Sequence, residues 1–203
     1  MSKEFSTDIS PETSASNRVA SIRVSGGLRF ASIALAGSAI VALSAHLALP
    51  LSFTPVPMTM QPLAVLVLGL LLAPELAAAT MVLYLAEGAL GLPVFAPSLP
   101  ATMGMAHLLG PTGGYLMAYP AAAALASWLI RRIGRGFGSG LLSAATALAL
   151  IFACGATWLA ILTHTSIQTV LTLAVVPFLP GAGLNIAAAA AVARGFQRLR
   201  RAR

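Results

Sequence analysis

The chain has 203 residues, of which 58% are hydrophobic and only 8% charged, and its mean hydropathy is +0.90. Soluble domains carry about 25% charged residues, so this composition excludes an ordinary soluble protein and indicates an all-α membrane protein with several spans. The net charge of +7 does not indicate nucleic-acid binding, because the basic residues lie in three clusters that flank apolar segments.

The chain begins with a polar, serine-rich stretch, residues 1–28, which we predict to be a disordered cytoplasmic tail. We predict a six-helix transmembrane domain over residues 29–198 and a basic cytoplasmic tail over residues 199–203. The first apolar segment, about 30–49, contains three small residues at four-residue spacing: Ala34, Ser38 and Ala42. Residues four apart share one face of a helix, so they favour close packing, either with a partner subunit or within the chain.

The next stretch, residues 50–74, contains four prolines in its first half, which remove backbone donors and favour extended backbone. Its second half, about 61–73, predicts a helix with Pro62 in the first turn. Such a helix is roughly 20 Å long at 1.5 Å per residue, whereas the hydrocarbon core of a bilayer is about 30 Å thick. Irregular backbone at that depth is tolerated only where protein buries it or where it lines a cavity. The proline-rich stretch is therefore predicted to dip into the membrane and wall a pocket.

Four further spans are predicted at about 75–92, 110–130, 140–162 and 181–198. Residues 163–176 are only partly apolar and predict a short interfacial helix leading to PFLPG, although one long span over 165–192, broken at that motif, is an alternative. With six spans and both termini in the cytoplasm, all 12 lysine and arginine residues lie on the inner side. This agreement with the positive-inside rule places the proline-rich stretch on the outer side.

Ionisable residues in or near the apolar segments are few. Glu87 is the one carboxylate within a span, which favours a functional role, with hydration at the outer interface as the alternative. His46, His107 and His164 do not have the spacing of metal ligands, and we predict neither a metal nor a cofactor. Motifs such as HExxH, GxSxG and the ATP-binding Walker sequences are absent, so the sequence predicts no enzyme and no ATPase of its own.

Two outer turns carry candidate ligand contacts. In GPTGGY, Gly114 would allow close approach of the backbone, and Tyr115 would supply a stacking face with a hydroxyl group. The helix that follows PFLPG directs its unpaired amides outward, which favours a carboxylate or phosphate. Asn185 lies about one turn into that helix, where it either contacts a ligand or packs against another helix.

Several motifs at their mutual spacing resemble those of one known family. They are VPMTMQ and GLPVF within residues 53–96, LLGPTGGYLMAY at 108–119, WLA at 158–160 and VVPFLPG at 175–181. The chain resembles the BioY family, the biotin-specific S components of energy-coupling-factor (ECF) transporters, from about residue 31 to residue 193.

The resemblance implies the S-component fold with six helices and a biotin pocket that faces outward from the bacterial cytoplasmic (inner) membrane. It also implies high-affinity biotin capture, with a loop between the first two helices covering the pocket. Uptake would be energised by a T subunit and two ATPase subunits, docked through the small residues of the first helix, although some members are thought to work alone.

One departure from the family pattern concerns the ligand. The family usually has Asp and Lys after PFLPG, at the positions that Ala182 and Asn185 occupy here. A different small nutrient is therefore one alternative, and a membrane-embedded enzyme or a non-transporting interaction subunit is another. Glu87, His46 or Asn185 would be the groups that compensate for the missing pair. The predicted substrate contacts are Thr54, Val56, Thr59, Gln61, Glu87, Gly114, Tyr115, Trp158, Asn185 and His46.

Overall fold

The computed structural model describes residues 11–49, 54, 56–97 and 102–201, with side chains from residue 26 to residue 199. The chain divides into two units, residues 1–33 and residues 34–203. In the first unit the backbone is helical from Pro11 onward, so part of the stretch predicted to be a disordered tail is the start of a long helix. Proline at the first helical position and Glu12 beside it both favour a helix start. The cytoplasmic placement of this stretch stays a prediction, and residues 1–10 lie outside the described residues.

The elements follow one another in this order: α1 Pro11–His46, β1 Ala48–Leu49, β2 Met58–Thr59, α2 Gln61–Leu71, α3 Pro74–Ala89, α4 Met105–Leu108, α5 Gly113–Ile133, α6 Phe137–Thr163, α7 Ile167–Ala174, a 3-10 turn Val176–Phe178 and α8 Leu179–Arg201. The chain is therefore mostly helical, as its composition predicts. Helices α2, α3, α5, α6 and α8 correspond to the five predicted segments that follow the first, with ends shifted by a few residues.

Within the described residues, four helical stretches are long and apolar enough to cross a membrane: Gly26–His46, Gly113–Ile133, Phe137–Thr163 and Ile167–Leu199. Helices α2 and α3 are shorter, with 11 and 16 residues. The last stretch joins α7, the 3-10 turn and α8. The predicted short helix over 163–176 corresponds to α7, and the alternative of one broken span over 165–192 corresponds to the joined stretch. Ser166 caps α7 by accepting a hydrogen bond from the backbone N–H of Thr169.

A short antiparallel ribbon closes the proline-rich stretch at its base. Ala48 pairs with Thr59 and Leu49 with Met58, and the N–H of Met60 donates to Leu47 O at 3.2 Å. Helix α2 then begins at Gln61, as predicted, with proline in its first turn. The ribbon therefore joins the residues that follow α1 to the residues that precede α2.

Helix α1 packs its small residues against its own chain. Ala34 and Ser38 are 5% and 1% exposed, and the Ser38 hydroxyl donates to Glu87 Oε1 at 3.1 Å. The side that α1 exposes carries large apolar residues instead, including Leu35 and Leu43. These contacts fit the alternative of packing within the chain, since Ala34 and Ser38 are buried and Ala42 packs partly against the core. A docking role for this face of α1 stays a prediction.

Candidate functional site

A cavity of about 80 Å³ lies between the ribbon, α5, α6 and the start of α8. A single water needs about 10–15 Å³ by the same kind of measure, so the cavity has room for part of a small molecule. Its wall is largely apolar, with contributions from Val56, Leu116, Ile151, Phe152 and Phe178. The polar side chains that line it include Thr59, Gln61, His107, Thr112, Tyr115 and Asn185. An apolar wall with a few placed polar groups is the usual character of a small-molecule site.

Gln61 is fixed by a hydrogen-bonded relay at the start of α2. Its side chain is 3% exposed, its Nε2 donates to Tyr84 Oη at 2.6 Å, and its Oε1 accepts from Thr59 Oγ1 at 3.2 Å. The Tyr84 hydroxyl in turn donates to the carbonyl of Val94 at 3.1 Å. The relay ties the ribbon to α3 and to the loop after α3, and it sets the orientation of the Gln61 amide toward the cavity.

Tyr115 forms the wall where α5, α6 and α7 meet. Its ring packs over Gly155 of α6, where a Cβ atom would overlap the ring, so only glycine allows this approach. Its hydroxyl donates to the carbonyl of Ala174 at 2.9 Å, and its ring meets Phe152 edge to face at 6.5 Å between centroids. The hydroxyl group that was predicted to contact a ligand thus donates its hydrogen bond within the protein, whereas the ring lines the cavity.

His107, on the short helix α4, also lines the cavity, although the sequence suggested no role for it beyond a rejected metal site. Its Nε2 lies 3.3 Å from Thr112 Oγ1, and its Nδ1 lies 3.3 Å from Oγ1 and 3.4 Å from the carbonyl oxygen of Thr102. The ring stacks on Phe95 at 4.9 Å between centroids. Burial lowers the pKa of His107 below its ordinary value of 6.5, and the hydrogen bond to the Thr102 backbone partly offsets this effect.

Five of the ten predicted substrate contacts line the cavity: Val56, Thr59, Gln61, Tyr115 and Asn185. Helix α8 begins at Leu179, which places Ala182 and Asn185 within its first turns, and both face the cavity. Among the described residues that line the cavity, none is an aspartate, glutamate, lysine or arginine. The two positions at which the resemblance implies an acid and a base, Ala182 and Asn185, are thus neutral residues of the cavity wall.

Two further predicted contacts, Gly114 of GPTGGY and Trp158 of α6, pack against each other. Gly114 lies directly under Trp158, where a Cβ atom would overlap the tryptophan side chain. The Trp158 indole donates from Nε1 to the carbonyl of Gly110 at 2.9 Å. Both residues lie outside the described lining, and they hold α5 and the turn before it against α6.

The other three predicted contacts also lie outside the described lining of the cavity. Thr54 is buried, and its hydroxyl oxygen accepts a hydrogen bond from the N–H of Val56 at 3.3 Å. Glu87 accepts the hydrogen bond from Ser38 on α1. His46 is exposed at the end of α1 and lines a second cavity, with a volume of about 260 Å³, that also touches Phe95.

Comparison with known proteins gives consistent matches. The family model described as the BioY family matches residues 15–202. The "Probable biotin transporter BioY" of Pyrococcus horikoshii is 41% identical over 109 residues, which cover 54% of this chain and 62% of that protein. The "Biotin transporter BioY2" of Lactococcus lactis subsp. cremoris is 33% identical over 142 residues, which cover 70% of this chain and 75% of that protein.

A longer match and a solved structure extend the comparison. The "Biotin transporter BioY" of Thermotoga maritima is 30% identical over 162 residues, which cover 80% of this chain and 92% of that protein. The crystal structure of the S component for biotin from an ECF-type ABC transporter superposes with a TM-score of 0.77 at 22% identity, covering 86% of this chain and 93% of the other. At that identity the superposition shows a shared fold.

Proposed function

Because the chain belongs to the BioY family, we propose that it is a membrane subunit that captures biotin for uptake by an ECF transporter. The relatives named as biotin transporters and the matched S-component structure support this proposal. The family and the matched structure are transporter components and not enzymes, so the enzyme alternative is not favoured. The observation that carries the proposal is the largely apolar cavity that is lined by residues of VPMTMQ, GPTGGY and PFLPG.

The six-span topology is part of the proposal. Helices α2 and α3, with 11 and 16 residues, would bring the four long spans to six. Arg131 lies at the end of α5 opposite the cavity and donates from Nη2 to the carbonyl of Leu72 at 3.3 Å. This basic end would face the cytoplasm of a bacterium together with both termini, and the cavity would open outward.

Biotin has an apolar ring body with a polar ureido group, and it ends in a valerate carboxylate. Phe152, Phe178 and Val56 would contact the apolar body, since these side chains line the cavity. The oriented amide of Gln61 and the side chain of Asn185 would hydrogen-bond the ureido group, because each offers both a donor and an acceptor.

Energy for uptake would come from partner subunits, since the sequence carries no ATP-binding motif. A T subunit and two ATPase subunits are the proposed partners, with a solitary subunit as the alternative. Because Ala34 and Ser38 are buried, docking through α1 would use its exposed side, which includes Leu35, Ile40 and Leu43. Co-purification of the tagged chain with co-expressed T and ATPase subunits tests this assembly.

Uptake of radiolabelled biotin by cells that lack their own biotin transporter tests the function. Cells that express the chain, together with ECF partner subunits, should accumulate label above the empty-vector control, and excess unlabelled biotin should abolish accumulation. A different small nutrient would be indicated if the cells accumulated another labelled vitamin above the empty-vector control and did not accumulate biotin. Absence of biotin accumulation, with the chain present in the membrane, contradicts the biotin assignment.

A further inference from the structure

The cavity poses an electrostatic problem for any ligand that carries a carboxylate. None of the described lining residues is aspartate, glutamate, lysine or arginine. Moving an ionised carboxylate from water into an apolar site is strongly unfavourable unless a hydrogen-bonded positive partner meets it. Neutral amides such as Gln61 and Asn185 hydrogen-bond a carboxylate but do not neutralise its charge.

His107 is the lining residue, among those that the structure describes, whose side chain becomes positive near neutral pH. A carbonyl oxygen only accepts hydrogen bonds, so the contact of Nδ1 with the carbonyl of Thr102 favours the tautomer that carries its hydrogen on Nδ1. In that tautomer Nε2 is unprotonated and accepts from the hydroxyl of Thr112, 3.3 Å away. A proton that arrives at Nε2 turns this acceptor into a donor and frees the Thr112 hydroxyl to donate elsewhere.

The surroundings of His107 favour a proton only when an anion is present. Burial lowers the pKa of the empty site, so the imidazole is mostly neutral at pH 7. The ring stacks on the face of Phe95, which tolerates a cation. An anionic oxygen within hydrogen-bonding reach of Nε2 would raise the pKa of His107, because an opposite charge favours the protonated form.

Other titratable groups around His107 do not supply this charge. Helix α5 contributes Tyr115 and Tyr119, and α3 contributes Tyr84 behind Phe95; phenols have an ordinary pKa near 10. Glu87, also on α3, is bonded to Ser38 and lies outside the described lining. His46 lines the neighbouring cavity, which shares Phe95 with the surroundings of His107, so it needs a control.

Resting on the proposed biotin function, we propose that His107 takes up one proton from solvent at Nε2 when a carboxylate ligand enters the cavity. The imidazolium and the Thr112 hydroxyl then both donate to the carboxylate, which stays ionised. The ligand therefore binds together with a proton, and the pair is neutral in a cavity whose described lining carries no acidic or basic residue other than this histidine.

The sign of the resulting pH dependence follows from linkage. The pKa of His107 is higher in the complex than in the empty protein, so biotin affinity is greatest at low pH. It falls as pH rises between the two pKa values, by up to about tenfold per pH unit for one linked proton. An aliphatic carboxylate has a pKa of about 4.3 and stays ionised throughout this range.

Isothermal titration calorimetry of the purified chain, from pH 5.5 to pH 8.5, tests the proposal with biotin and with neutral biotinamide. We expect the Kd of biotin to rise about tenfold or more across this range, whereas the Kd of biotinamide stays nearly constant. Titrations at pH 7 in two buffers with different ionisation heats should show net proton uptake for biotin and none for the amide.

Two variants assign the effect to the residue. His107→Gln should lose the pH dependence for biotin and bind it with about the affinity that the wild type has at high pH, whereas His46→Gln should keep the wild-type profile. Parallel pH profiles for biotin and biotinamide, or an unchanged profile in His107→Gln, overturn the proposal. If His107→Gln does not fold, the two-ligand comparison on the wild type decides. Biotin binding without proton uptake overturns this inference alone, whereas a folded chain that binds no biotin at any pH overturns the proposed function as well.

Discussion

The Gly155→Ala substitution places a methyl group where the ring of Tyr115 lies, since a Cβ atom at this position would overlap the ring atoms Cδ1 and Cε1. Both residues are buried, so the ring does not escape the methyl group without moving the wall of the cavity. Either the ring rotates away from Ala174, or α5 and α6 separate locally. Both responses break the hydrogen bond from the Tyr115 hydroxyl to the carbonyl of Ala174.

The expected magnitude comes from three terms. Overpacking a close-packed site costs about 1–3 kcal/mol, and the lost hydrogen bond adds about 0.5–1.5 kcal/mol. Alanine is favoured over glycine within a helix by about 1 kcal/mol, which offsets part of the cost. The free energy of unfolding should therefore fall by about 1–3 kcal/mol. A similar loss at the cavity wall would weaken biotin binding by about 5- to 150-fold.

Thermal unfolding in detergent and calorimetric titration with biotin measure the two effects. Gly138→Ala is the matched control, because it lies on the same helix α6 and a Cβ atom there would meet nothing within 4 Å. The control should keep its biotin affinity and unfold at the same or a slightly higher temperature. If Gly155→Ala behaves like Gly138→Ala in both assays, the packing of Tyr115 over Gly155 is not what shapes the cavity.

Two other substitutions separate the relay at the cavity from the contact on α1. Tyr84→Phe leaves Gln61 Nε2 and the carbonyl of Val94 without the partner they share. The free energy of unfolding, measured in urea, should therefore fall by about 1–3 kcal/mol, and calorimetry should show a weaker affinity for biotin. Wild-type values for both quantities would contradict the relay. Glu87→Gln keeps an acceptor for Ser38 and lies outside the described lining, so biotin affinity should stay within about twofold, as measured by calorimetry. A tenfold loss of affinity in this variant would restore Glu87 as a compensating ligand contact.

The sequence was sufficient to predict the elements whose signals are local. Proline at position 62 and the apolar run behind it place the start of α2 at Gln61, and the structure begins the helix there. The prolines before it predicted extended backbone, and the structure has a short ribbon with residues Met58–Thr59. The family motifs identified Gln61 and Tyr115, both of which line the cavity.

Contacts between distant segments were not predictable from spacing. His107 reaches the cavity because the loop after α3 folds back and stacks Phe95 on its ring, and no periodic pattern encodes that return. Its signal was a histidine five residues before Thr112 of GPTGGY, and only the fold gives that spacing meaning.

Small residues were equally ambiguous in the sequence. Ser38 faces Glu87 within the chain, whereas a four-residue repeat fits an internal contact and a subunit contact equally well. In the sequence Gly155 does not differ from the other small residues of an apolar helix. In the structure the ring of Tyr115 occupies the space that a side chain at this position would need.

Direct titration of biotin into the purified, folded chain at pH 6.5 shows whether this cavity binds biotin. We expect saturable binding at one site per chain with a Kd of about 1 μM or below, which corresponds to a binding free energy of about −8 kcal/mol. Binding should be weakened in Gly155→Ala and unchanged in Gly138→Ala. Absence of saturable binding, in a sample whose circular dichroism shows an intact helical fold, would contradict the claim.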